Sequence, residues 1–114
     1  MSVLMEEFRR TSADKAIVVD VNRVNGELTI ILNGLILAAL MGPDTGQDNY
    51  NRNITSLLIP GENIVTWTLV SLGKKSHEVS LDGSVSIGAE RINLSQQGTT
   101  PPGLFYQVFL FLEH

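Results

Sequence analysis

The stretch LLIPGENIVTWTLV, residues 57–70, decides the fold class. Its Pro60-Gly61 pair is turn chemistry: proline presets φ, and glycine accepts the positive φ that follows. Behind the turn, residues 62–72 alternate. Val65, Trp67 and Leu69 fall on one face, and Ile64, Thr66, Thr68 and Val70 on the other. That period of two is the signature of a pleated strand. Trp67, the only tryptophan, shares its face with aliphatic neighbours and is expected in the core.

The same pattern extends outward. Residues 16–24 alternate, with Ile17, Val19 and Val21 on one face, and Asn25-Gly26 then reads as a type I′ hairpin turn into residues 27–32. Asn33-Gly34 is a second turn of the same chemistry, leading to an apolar run at 35–41. Residues 42–52 (GPDTGQDNYNR) read as an exposed loop. Residues 53–58 fit a short strand or a single helical turn. Residues 77–81 and 84–87 flank Asp82-Gly83, a further hairpin signal. Residues 89–94 are expected to continue that strand past a bulge at Gly88. After a polar loop at 95–103, residues 104–112 are apolar on both faces, as in a central strand. Seven or eight short strands with tight turns predict an all-β fold, an antiparallel sandwich or small barrel, of which the two-sheet β sandwich of jelly-roll or Ig-like type is the leading expectation.

The chain of 114 residues fits one domain. Residues 1–15 read as an N-terminal tail or short helix, 16–112 as the sandwich, and Glu113-His114 as a tag remnant. Cysteine is absent, so disulfides and thiolate zinc sites are excluded. With 43% hydrophobic against 18% charged residues, the composition favours a packed core over disorder. The net charge of −4 and the scattered bases argue against a nucleic-acid partner. The longest apolar run is far short of the ~20 residues that span a bilayer as a helix. No apolar leader segment follows the N-terminus.

One part of the chain resembles a known superfamily. Asn33, Gly34, Ile54, Thr55, Leu57, Leu58, Pro60, Gly61, Glu62 and Asn63, within residues 30–70, are similar to the galactose-binding-like jelly-roll β sandwiches found beside the catalytic domains of glycoside hydrolases. The resemblance implies a carbohydrate-binding module. Its matching positions are structural, so they transfer no sugar-contacting residue.

The candidate site residues lie in the 42–52 loop. Tyr50 is the candidate stacking ring for a sugar, with Asp48, Asn49, Asn51 and Arg52 as polar partners. Asp44 and Asp48, helped by Asn49, are candidate oxygen ligands for a structural calcium, although the spacing fits no EF-hand. No other cofactor is expected. Asp44-Thr45-Gly46 spells the aspartic-protease triplet but lacks the apolar strand that should precede it. Tyr106 alternates with Leu104 and Val108 and is expected in the core. His77 stands alone, and no nucleophile elbow is visible. Asn53-Ile54-Thr55 and Asn93-Leu94-Ser95 match the glycosylation sequon, a short pattern.

These readings predict a non-enzymatic binding or interaction module, with carbohydrate or protein as partner. The alternative is a structural or assembly domain that forms homo-oligomers or joins a larger complex. Its candidate surfaces are residues 104–112 and the Ile64, Thr66, Thr68, Val70 face.

Overall fold

β2 (Ile17–Leu32) organises the molecule, because strands from both halves of the chain pair with it. In the computed structural model, which describes residues 3–12, 14–42, 49–70, 77–100 and 105–114, its first half pairs with β6 (His77–Ile87) and β4 (Tyr50–Asn53). Its second half pairs with β5 (Glu62–Val70) and β3 (Leu35–Gly42). β9 (Phe105–Glu113) lies between β5 and β1 (Val3–Arg10). β7 (Glu90–Asn93) and β8 (Gln96–Thr100) both pair with β6. All ladders are antiparallel except β1 with β9, which is parallel.

The result is one strongly curled mixed sheet, a half-barrel, and not the two-sheet sandwich that the turn signals predicted. The physical reason lies at Asn25-Gly26. Those residues do not reverse the chain. Gly26 takes φ +126° and β2 continues through it. A bulge between Val21 and Arg23 adds further twist. The strand therefore bends without ending, and the residues that would have formed two layers hang on one shared strand. Asp82-Gly83 is likewise no turn, since β6 runs through it with Gly83 opposite Val21.

Other local expectations fare differently. Asn33 and Gly34 have φ 49° and 85°, the two positive values of the expected tight turn. Gly61 takes φ +92° after Pro60. Residues 55–57 form a single 3-10 turn (Thr55–Leu57). Gly88 (φ 58°) reverses the chain into β7, which returns antiparallel to β6 where a continuation was expected. Residues 3–10 form a strand rather than a tail or helix. Glu113 ends β9 opposite Arg10 and Glu62, and His114, just past the strand, exchanges two backbone hydrogen bonds with Gly61 (2.8 and 3.0 Å).

The concave side of the curl is the core. It is lined by alternate residues of every long strand: Ile17, Val19 and Val21; Leu28, Ile30 and Leu32; Val65, Trp67 and Leu69; Val85 and Ile87; Val108, Leu110 and Leu112. Trp67 is 0% exposed. Its indole reaches across the interior to β6, where a Cβ added to Gly83 would lie 2.6 Å from Cζ3 and 3.0 Å from Cη2. Glycine stands at 83 because a side chain would occupy the indole's space, not because the chain turns.

Asn63 and Ser84 are the polar residues buried among the described ones, and Asn63 is the more extensively bonded. Asn63 is 0% exposed. Its Oδ1 accepts from Asn33 Nδ2 (2.8 Å) and the Ile59 amide (2.9 Å). Its Nδ2 donates to the carbonyls of Ile59 (2.8 Å) and Gly61 (3.2 Å). Asn33 in turn accepts from the Ile64 amide through Oδ1 (2.8 Å). Two turns distant in sequence are thereby clamped together.

Two outcomes follow for stability. Gly83→Ala should destabilise by about 1–3 kcal/mol through overpacking, and adding Trp67→Phe should make the double variant less destabilised than the sum of the singles, as read by denaturant unfolding. Asn63→Ala should cost about 2–3 kcal/mol by leaving buried turn groups unpaired, read as a lower Tm.

Candidate interaction surfaces

Two surfaces carry chemistry: a polar strip beside the β2 bulge, and the outer face of the β3–β2–β5–β9–β1 section.

The polar strip arises because the bulge re-aims alternate residues of β2. Asp20, Val21, Asn22, Asn49, Tyr50 and Asn51 line a hollow of about 340 Å³. Arg23, Ser80, Leu81, Asp82, Ser95 and Gln96 line a second of about 350 Å³. Asn22 Nδ2 lies 3.5 Å from Asp82 Oδ2, joining the two. Asn51 Nδ2 donates to Asp20 Oδ1 (2.9 Å). The Ser95 hydroxyl accepts from the Gly83 amide (3.2 Å) and lies 3.2 Å from Asp82 Oδ1.

Of the residues singled out in the sequence, Asn49, Tyr50 and Asn51 meet at the first hollow. Arg52 is exposed one step along β4, opposite Val19. Asp44 and Asp48 lie outside the described residues. Tyr50 is not an open platform: its ring packs against the core cluster and its Oη is buried. Asp20, Asn22, Arg23, Asp82, Ser95 and Gln96 were not anticipated. The available signal was the polar run Asp20, Asn22, Arg23 on an otherwise apolar strand, together with Asp82, which had been assigned to a turn. Both sequon asparagines accept locally through Oδ1, Asn53 from the Thr55 amide (3.0 Å) and Asn93 from the Ser95 amide (3.0 Å). Among the described residues, no three His, Cys, Asp or Glu side chains converge to hold a metal, and no helix is long and apolar enough to cross a membrane.

The outer face is set by the ladder registers. One row runs Phe8, Phe111, Ile64. The next runs Glu6, Phe109, Thr66, Ile31, Ile36. A third runs Gln107, Thr68, Thr29, Ala39. Its centre carries no charge, while Glu6, Arg10, Glu62 and Glu113 stand at the rim. Phe8 is 64% exposed and Ile36 63%. Phe8 stacks on Phe111 with ring centroids 4.6 Å apart and planes 10° from parallel.

Where the curl nearly meets itself, β1 and β7 form the two ends of the strand order. Arg9 bridges them: Nε binds Glu90 Oε1 at 2.6 Å, and Nη1 binds Glu7 Oε2 at 2.9 Å. The hydrogen bond that Arg9 donates to Glu90, foremost, holds the Arg9 pKa above its ordinary value.

Comparison with protein-family models finds no match to this chain, and neither the curated proteins nor the solved structures provide one.

The polar hollow yields a separable outcome. Tyr50→Ala should lower stability by about 1–3 kcal/mol, because the ring fills part of the core. Asn51→Ala should stay within about 0.5 kcal/mol of the parent. Thermal unfolding of the two variants measures both.

Proposed function

We propose that this chain is a non-enzymatic assembly module, working through its sheet rather than on a small molecule. The observation that supports the reading is the uncharged outer face, with Phe8, Phe109, Phe111, Ile31, Ile36 and Ile64 arranged in register. Rows of β-branched and aromatic residues are what the inner face of a packed sheet pair presents. A few apolar side chains scattered singly would need no explanation, whereas a contiguous patch rimmed by charge marks a contact surface. Five strands and three rows cover roughly 24 by 20 Å, on the order of 500 Å². That approaches the ~800 Å² each partner contributes to a standard interface. The occupant is the same face of a second copy, laid with its uncharged centre against this one.

The polar strip supports a second reading, a polar ligand of carbohydrate type bound beside Asp20, Asn22, Asn49 and Asn51. It ranks lower because the ring that could have stacked on a sugar there, Tyr50, is packed against the core. Saturable glycan binding lost in Asn51→Ala would promote it.

For the assembly reading, sedimentation equilibrium should give a mass above the 12.5 kDa of one chain. Ile36→Lys, which places a charge on the face at an exposed position of its outer strand β3, should weaken association by roughly tenfold or more while unfolding stays within about 0.5 kcal/mol of the parent.

A further inference from the structure

Asn33 and Gly34 form a dipeptide that can react with itself. The Gly34 backbone nitrogen attacks the Asn33 side-chain carbonyl carbon, Cγ, and closes a cyclic imide. That nitrogen gives up its proton, the Cγ–Nδ2 bond breaks, and Nδ2 leaves as ammonia. Water then adds across one of the imide C–N bonds. Opening on the Cγ side leaves an aspartate at 33. Opening on the other side leaves an isoaspartyl link, in which the main chain runs through Cβ and Cγ. Glycine favours the attack because no Cβ shields its nitrogen. Here both residues are exposed, and a Cβ added at Gly34 would meet nothing within 4 Å. Solvent therefore reaches the reacting atoms.

The clamp opposes this chemistry. The Asn33 amide donates to the Ile64 carbonyl at 2.9 Å. Asn33 Oδ1 accepts from the Ile64 amide at 2.8 Å, and Nδ2 donates to Asn63 Oδ1 at 2.8 Å. Imide closure brings Cγ against the Gly34 nitrogen and expels Nδ2, so it cannot proceed with both side-chain bonds in place. The anchor behind them is itself fixed. Asn63 is wholly buried and tied to the Ile59 amide and to the Ile59 and Gly61 carbonyls. The chain's other Asn-Gly pair is held differently. It lies inside β2, with Asn25 opposite Ser80 of β6 and Gly26 opposite Gly42 of β3.

We propose that Asn33 is a site of spontaneous deamidation that the Asn63 clamp holds closed, and that the reaction makes opening of the clamp irreversible. Aspartate at 33 has no Nδ2 hydrogen. Its carboxylate faces Asn63 Oδ1, acceptor against acceptor. The isoaspartyl link also lacks the donor, and it lengthens a tight turn by one backbone carbon. Neither product rebuilds the bond between the β2–β3 turn and the loop entering β5. Local opening is ordinarily reversible. At this turn it is recorded as a covalent change. The inference is independent of the assembly reading, since it needs no second copy.

The test incubates four samples side by side in mildly alkaline buffer: folded parent, parent unfolded in urea, and folded Asn63→Ala and Gly83→Ala. Peptide mass spectrometry reads the extent of deamidation at each site. In urea both Asn25 and Asn33 should convert. In the folded parent Asn33 should convert more slowly by roughly tenfold or more. Asn63→Ala should speed Asn33 by roughly three- to tenfold, the factor one hydrogen bond is worth, and leave Asn25 at its parent rate. Gly83→Ala weakens the fold away from the clamp and should leave both sites unchanged. Equal rates in folded and unfolded parent overturn the proposal. So does a parent rate at Asn33 in Asn63→Ala, or acceleration there that Asn25 or the Gly83 variant shares. Asn33→Asp carries one product directly and should unfold at a lower Tm than the parent. An unchanged Tm overturns the irreversible release.

Discussion

The indole of Trp67 sits in the hollow of the curl with its far ring against the backbone of Gly83. Trp67 belongs to the half of the sheet built around β5 and β9, and Gly83 to the half built around β6. Hydrogen bonds along β2 connect the halves but do not fix the angle between them. The size of the indole does, because the interior can close no further than the ring allows and leaves a void if it closes less. The small residue at 83 and the large one at 67 are therefore one constraint, expressed at two places far apart in the chain.

Around that contact, β2 acts as a spine shared by two sets of partners. Its sixteen residues exceed an ordinary strand. A strand of that length cannot stay flat, and the Val21–Arg23 bulge and Gly26 take up the bend. The bulge also throws polar side chains outward, which is why the polar strip lies beside it. The Asn33–Asn63 clamp closes the other end, holding the β2–β3 turn to the loop that enters β5. Scaffold and surfaces thus share their causes.

Much of this was legible in the chain itself. Alternation along β2, β5 and β9 placed Trp67, Val65, Leu69 and Val108 in the core correctly, since period two depends only on local pleating. Asn33-Gly34 and Pro60-Gly61 behaved as their backbone preferences dictate. What misled was that glycine after Asn or Asp has more than one use. At 25-26 it permits a bend, and at 82-83 it makes room for a ring, yet both pairs look like hairpin turns. The choice depends on what packs against them from elsewhere, which local pattern does not carry. The same holds for Tyr50, whose polar neighbours suggested exposure while its ring turned inward. Residues 3–10 were missed as a strand because their pairing is with β9, at the far end of the described chain, and their charges imitate a solvated segment.

That pairing has a temporal consequence. β1 leaves the ribosome about a hundred residues ahead of β9. At translation speeds of roughly 5–20 residues per second, β1 waits on the order of 5–20 s for its mate. Throughout that interval the edge that β9 will cover stands unsatisfied. On a polysome, nascent neighbours meet at high local density, so a strand left waiting there can be captured by the β9 of an adjacent nascent chain. The parallel closure of this sheet thus makes the order of synthesis, as well as the final packing, a determinant of which chain each strand ends up in.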